Sequence, residues 1–233
     1  MKKRKIALIS ILSLILVSII AFIIYTNVYY KSQNIDSYLN STELVEVNKG
    51  KDYIEFIPKD SNNKGIVFYP GGKVEYDSYA PLMNGLANNG YTCILLKMPF
   101  NLAVFGSNKG KKHIERYNLE WYVAGHSLGG AFGSTFASKN DKVSGVILLG
   151  AYSTANLKNK KVISVYGSND QILNKEKYEK YKVNLPNNYK EYVIEGGNHA
   201  YFGSYGNQRK DGTATITRDE QISQTIDIIT KEI

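Results

Sequence analysis

Residues Gly125-His126-Ser127-Leu128-Gly129, with a second glycine at Gly130, fit the spacing G-x-S-x-G. In that pattern a serine sits on a sharp turn between a strand and a helix, its hydroxyl exposed for nucleophilic attack. The flanking glycines answer a steric demand, because side chains there would meet neighbouring backbone. Glu120-Trp121-Tyr122-Val123-Ala124 reads as the strand entering the turn, and Ala131 to Lys139 as a helix of small residues packed closely on a sheet. A serine hydroxyl is a poor nucleophile near neutral pH. It needs a base to take its proton and a third group to orient that base.

The chain has three histidines, His113, His126 and His199. His126 precedes the serine, where its side chain points away from Ser127, and is expected to be packed. His113 follows Gly110-Lys111-Lys112 and is expected in an exposed loop or helix start. His199 follows the strand-like Tyr192-Val193-Ile194 in Glu195-Gly196-Gly197-Asn198, at the strand end where open α/β sheets place their chemistry. It is the expected base. The acid is expected at Asp170, where Val162 to Tyr166 leads into Gly167-Ser168-Asn169-Asp170; Asn169 and Glu176 are weaker substitutes.

The oxyanion of an acyl-transfer reaction needs two backbone N–H donors. Leu128 supplies one at the start of the helix after the elbow. The other is expected from Pro70-Gly71-Gly72-Lys73, through Gly72 or Lys73. The Lys73 ammonium is a candidate for an anionic substrate group. Phe100, Leu102, Phe105, Tyr152 and Phe202 flank strand ends and are candidates for an apolar acyl pocket, with ordinary packing as the competing role. This set asks for no metal and no cofactor.

The elements that must position these groups are legible as a rhythm. Leu44 to Val47 and Tyr53 to Ile57 read as a hairpin across Asn48-Lys49-Gly50-Lys51-Asp52. Strand-like runs at 65–69, 91–96, 121–124, 146–149, 162–166 and 192–194 then alternate with segments of helical spacing at 77–87, 131–139 and 222–233, the last with Ile222, Ile226, Ile229 and Ile233 on one face. This predicts an α/β fold, a mostly parallel sheet flanked by helices. The link from Gly150 to Val162 leaves no room for a cap domain, so the site is expected to be open. Cys93 is the single cysteine, which excludes an intramolecular disulfide, and its apolar neighbours predict a packing role.

Lys2, Lys3, Arg4 and Lys5 precede an uncharged run from Ile6 to Tyr25, long enough to cross a bilayer core as a helix. The run lacks a small-residue cleavage site, so an uncleaved signal anchor is expected over a cleaved signal peptide. The basic cluster would stay cytoplasmic and everything beyond Tyr30 would lie outside. The expected organisation is an anchor at 1–30, a polar tether at 31–41 and a catalytic domain at 42–233. The formal charge of +8 falls to +4 without the four basic residues beside the anchor, and the remainder is dispersed, which signals no nucleic-acid binding. The lysines at 109, 111 and 112 and at 158, 160 and 161 read as solvated loops. The abundance of Lys, Ile, Asn and Tyr suggests an AT-rich bacterial genome.

Several motifs together carry a resemblance. They are Tyr69-Pro70-Gly71-Gly72, Tyr79-Ala80-Pro81-Leu82, Lys97 to Ala103, the GHSLGG elbow, Gly167 to Asp170, and Gly196-Gly197-Asn198-His199-Ala200 with Phe202 to Gly206 after it. From about Glu46 onward the chain resembles the α/β-hydrolase superfamily, close to its small cap-less bacterial members of the dienelactone-hydrolase-like branch. The order Ser127, Asp170, His199 is the order of that superfamily. The resemblance implies a Ser-Asp-His hydrolase, with a serine where dienelactone hydrolases proper carry a cysteine. Hydrolysis of a small carboxylic ester at a membrane is the leading expectation. A thioesterase, peptidase or acyltransferase acting on envelope material uses the same groups, and a binding protein with a degenerate hydrolase fold is the non-enzymatic alternative.

Overall fold

The computed structural model describes residues 2–233; residue 1 lies outside it. Its first element is the long helix α1 (Lys2–Asn27). A hairpin follows, β1 (Val45–Lys49) and β2 (Tyr53–Pro58), and then β3 (Lys64–Tyr69), α2 (Ala80–Asn88), β4 (Thr92–Leu96), α3 (Lys111–Arg116), β5 (Glu120–His126) and α4 (Leu128–Ala137). The chain closes with β6 (Val143–Leu149), β7 (Lys161–Gly167), α5 (Lys175–Tyr181), β8 (Lys190–Ile194) and α6 (Arg218–Glu232). The eight strands form one sheet in the order β1-β2-β4-β3-β5-β6-β7-β8. β1 and β2 pair antiparallel, β2 joins β4 antiparallel, and every later pair is parallel. The expected hairpin and parallel sheet are therefore both present.

Each central strand feeds two cores because successive side chains point to opposite faces. In β3, Ile66 and Phe68 join the core built with α2 and α6, while Val67 and Tyr69 join the core built with α3 and α4. Tyr122 and Ala124 separate from Trp121 and Val123 in β5 in the same way. Burial on both faces explains why these strands read as continuous apolar runs. Parallel strands all deliver their C-terminal ends to one edge, and the loops after β3, β5, β6, β7 and β8 meet there.

The helices show where the periodic pattern is weakest. Residues 77–87, read as one helix, begin as a 3-10 turn at Tyr76–Tyr79 before α2. α3 and α5 are six and seven residues of mostly charged sequence, too short to display an apolar stripe. His113, expected exposed, is buried in α3, its ring edge-on to Tyr53 with centroids 4.5 Å apart. Burial holds its pKa down at about 4. Lys160, expected in a solvated loop, is buried and its ammonium donates to the carbonyls of Asn140 (2.9 Å) and Val143 (2.7 Å).

α1 contains the one candidate membrane span among the described residues, with a mean hydropathy of 3.0 and no part of that window buried. By length and composition it is able to cross a bilayer. Residues 31–41, expected as a tether, lie along the domain instead. Ser32 donates its N–H (3.0 Å) and hydroxyl (3.2 Å) to Glu75, and the Gln33 N–H donates to the Ser204 carbonyl (2.8 Å). Ile35 is buried, and Tyr38 and Leu39 pack on the α2 side of the sheet. Those three apolar residues, among polar ones, supply the adhesion that a free linker lacks.

Candidate active site

Ser127 stands between β5 and α4 with φ 52° and ψ −122°. That backbone conformation is sparsely populated for a residue with a side chain and costs about 1–3 kcal/mol. The turn is held by its surroundings. The Ser127 N–H donates to the Leu149 carbonyl (2.9 Å), and a methyl at Gly129 would be driven into the carbonyl oxygens of Tyr69 and Pro70. The elbow is thus clamped between the ends of β3 and β6, and a glycine is required for the β3 loop to pass so close.

Asp170 and His199 meet at the same edge. His199 Nδ1 lies 2.8 Å from Asp170 Oδ2, with both side chains fully buried. The other carboxylate oxygen, Oδ1, accepts from the N–H groups of Ile172 (2.9 Å) and Leu173 (2.8 Å), so the carboxylate cannot rotate freely. An Nδ1–H that donates to Asp170 leaves Nε2 as the basic nitrogen. Nε2 is buried with no hydrogen-bond partner among the described residues. Ser127 and His199 line one cleft of about 200 Å³, but no hydrogen bond joins the serine hydroxyl to the ring. Such bonds commonly tighten only when substrate is present.

The two amides expected at the oxyanion loop part company. The Lys73 N–H is already spent on the Asn101 carbonyl (2.8 Å), and the Gly71 N–H donates to the Tyr79 hydroxyl (3.1 Å). The Gly72 amide lies between them, and a methyl on Gly72 would come 2.9 Å from Leu128 Cδ2. Gly72 and Leu128 therefore face each other across the elbow. Tyr79 also lies 2.8 Å from His126 Nδ1, and the His126 ring is 4.4 Å from that of His199. His126 is packed, as expected of its position. Burial, and then the neighbouring His199, push its pKa far down, so it stays neutral.

Of the candidates for substrate contact, the cleft includes Tyr152, together with Ala131, Ile172, Leu173 and Asn174. It does not include Lys73, Phe100 or Phe202. Lys73 has φ 60°, which turns its side chain toward α1, where the ammonium lies 4.1 Å from the Tyr25 ring. Phe202 is fully buried against His126, at 5.6 Å between rings. Phe100 and Phe105 instead flank Phe22 of α1, at 5.3 and 5.8 Å. Leu102 approaches Gly72, where its Cδ2 would be 3.7 Å from an added methyl. Flanking a strand end did not decide direction; the twist of each loop did.

Three supporting residues escaped the sequence reading. Gly150, at the end of β6, has φ 52°, and a methyl there would stand 2.9 Å from His199 Nδ1 and 3.1 Å from Asp170 Oδ2. Gln221 of α6 clamps the residue before His199, accepting the Asn198 N–H (3.0 Å) and donating to its carbonyl (2.8 Å). Asp211 ties the two loops together, accepting from the N–H groups of Ala200 (2.9 Å) and Gln171 (3.3 Å). Only Gly150 carried a signal, as a glycine ending an apolar strand. Gln221 sits among polar helix residues, and Asp211 in a loop, with nothing local to mark them.

Comparison with known proteins agrees with this fold. Residues 65–223 match the family model described as alpha/beta hydrolase family. No curated protein matches the sequence. The structure is similar to the Thermus thermophilus protein TT1662, with a TM-score of 0.60 and 12% identity, over 80% of this chain and 97% of that one. It is similar to a soluble variant of monoglyceride lipase from Saccharomyces cerevisiae, at TM-score 0.60 and 13% identity over 83% and 96% of the two chains. Carboxyl esterase 2 from Tuber melanosporum gives 0.57 and 11% over 87% and 89%. At these identities the likeness is one of fold.

Proposed function

This chain belongs to the alpha/beta hydrolase family, and from that premise we propose that it is a membrane-anchored serine hydrolase that cleaves carboxylic esters. Ser127 attacks the ester carbonyl while His199 Nε2 takes the hydroxyl proton. Asp170 holds the ring and stabilises its charged form. The tetrahedral oxyanion lies between the amides of Gly72 and Leu128, a contribution of about 3 kcal/mol per donor in comparable sites. The C–O bond to the alcohol then breaks, His199 returns the proton to the departing oxygen, and an acyl-Ser127 remains. Water, deprotonated by the same ring, attacks this ester, releasing the acid and restoring the serine. Tyr152 and Ile172, which line the cleft beside Ser127, are assigned to the acyl group in this reading.

The observation that carries the reading is the buried Asp170–His199 pair opening on the cleft that holds the strained Ser127. Ser127→Ala is expected to abolish turnover of p-nitrophenyl butyrate and labelling by a fluorophosphonate, with an unchanged circular dichroism spectrum. Turnover that survives the substitution would remove Ser127 from the mechanism. The anchor is α1, its basic end cytoplasmic and the hydrolase domain on the outer side.

A further inference from the structure

The anchor does more than tie the domain to a surface. We propose that the domain is docked on the outer leaflet, with the loop after β4 seated at the interface, and that its substrate is an ester-bearing membrane lipid reaching Ser127 from the bilayer. This rests on the anchor and hydrolase readings above.

The first support is the shortness of the connection. α1 ends at Asn27, and by Tyr30 the chain is already paired with the domain: the Tyr30 N–H donates to the Lys73 carbonyl (2.8 Å) and the Glu75 N–H to the Tyr30 carbonyl (2.8 Å). Three residues span at most about 10 Å. The domain therefore has no slack to stand away from the membrane.

The second is depth. Phe22 lies inside the uncharged run from Ile6 to Tyr25, five residues before the helix ends. At about 1.5 Å per residue, that places it roughly 7 Å below the helix terminus. The rings of Phe100 and Phe105 meet it edge-on. Whatever touches Phe22 shares its depth, so the β4 loop reaches the level of the lipid chains. The loop is dressed for that place, with Phe100 52%, Val104 48% and Phe105 50% exposed despite being apolar. Phe100 and Asn101 are held at φ 56° and 54°, a left-handed pair that non-glycine residues adopt at a cost. The half-exposed rings and Val104 form an apolar rim beside α1 that suits lipid better than water.

The third is the level of the chemistry. Gly72 adjoins Lys73, whose ammonium rests over Tyr25, the last residue of the apolar run. The oxyanion loop is thereby held at the boundary between lipid chains and headgroups, where the ester carbonyls of glycerolipids lie. Leu128, 37% exposed, faces Gly72 and continues the apolar rim from the loop to the cleft. A cleft of about 200 Å³ is smaller than the usual 300–1,000 Å³ of a ligand pocket, so most of a long acyl chain would stay outside it, in the leaflet.

The test uses the full chain reconstituted in dioleoylphosphatidylcholine vesicles containing dioleoylglycerol. Val104→Cys carries an environment-sensitive fluorophore, since Cys93 is buried and does not compete. Quenching of that fluorophore by brominated phosphatidylcholine supports docking. An unquenched, water-like emission overturns it, and a blue shift that depends on protein density without quenching assigns the rim to a second copy and also overturns it. Val104→Asn with Phe105→Asn is expected to slow dioleoylglycerol hydrolysis roughly tenfold, the order expected from removing two apolar contacts. Hydrolysis of soluble p-nitrophenyl butyrate should change less than about twofold by the same scale. Equal loss on both substrates overturns the lipid assignment. Failure of the hydrolase reading shows separately, as a parent chain that cleaves neither ester and takes no fluorophosphonate. Failure of the anchor reading shows as a chain that does not float with the vesicles.

Discussion

Gly150 illustrates how finely the pair of Asp170 and His199 is set. The two side chains are buried, and a single methyl at position 150 would stand within 2.9 Å of the histidine Nδ1. An alanine there is also strained by φ 52° whatever space it finds. Gly150→Ala is therefore expected to push the imidazole off its partner and lower kcat for p-nitrophenyl butyrate by at least about a hundredfold, the scale of misplacing a catalytic group by an ångström. Folding should survive at reduced thermal stability. A variant with parental kcat would show that the ring has room to move. Asp170→Asn is a sharper probe, because it keeps the shape while favouring the wrong tautomer, and a loss near 10⁴-fold in kcat is expected where a triad operates. His199 and Asp170 were legible because each ends an apolar strand in a glycine-rich loop. Phe202 and Lys73 shared that placement and went elsewhere, since a place at a strand end does not fix the backbone conformation of the loop that follows.

At the scale of elements, the hairpin and α3 are joined by charge. Asp52, in the turn between β1 and β2, accepts from Lys112 (2.8 Å) and Lys109 (2.9 Å), and Lys109 also donates to the Lys97 carbonyl (2.8 Å). The bonds to Lys112 and Lys109 hold the Asp52 pKa down from 3.8 to about 2. A depressed carboxyl contributes stability that is present above its unfolded pKa and is lost as pH falls through the folded value. Asp52→Asn should therefore cost about 0.5 kcal/mol near neutral pH, the scale of a partly exposed pair. Chemical denaturation of the detergent-solubilised chain should show that difference shrinking as pH falls from 3.8 to about 2; a gap that does not change with pH would mean that packing, not charge, links the two elements. The lysines at 109 and 112 had read as solvated because their partner lies more than fifty residues away. α6 teaches the same lesson in reverse. Its capping box, Thr217 with Glu220, and its isoleucine stripe are local, whereas the hold of Gln221 on the Asn198 backbone is not.

For the whole molecule, the parallel sheet is the device that turns distant residues into neighbours, since strands running one way present their loops at one edge. In the proposed arrangement α1 would tie that edge to a membrane through Tyr30 and Phe22. If α1 spans with its basic end inside, alkaline phosphatase fused after Ile233 should be active in the periplasm of a reporter bacterium, and replacing Lys2, Lys3, Arg4 and Lys5 by neutral residues should reduce that activity. An inactive C-terminal fusion of the intact chain would reverse the topology.

What the amino-acid sequence decided alone is what depends on near neighbours: the elbow, the alternation of strands and helices, the order of Ser127, Asp170 and His199 along the chain, and a helix long enough to cross a bilayer. Spacing, periodicity and hydropathy are local quantities, and they survive in a linear text. The tertiary structure decided the rest. It spent the Lys73 amide on Asn101 and left Gly72 opposite Leu128, buried His113 and Lys160, and set the aromatic loop against α1. Each of those outcomes is a competition among groups far apart in the chain for the same donor, cavity or surface, and only the folded molecule brings the competitors together.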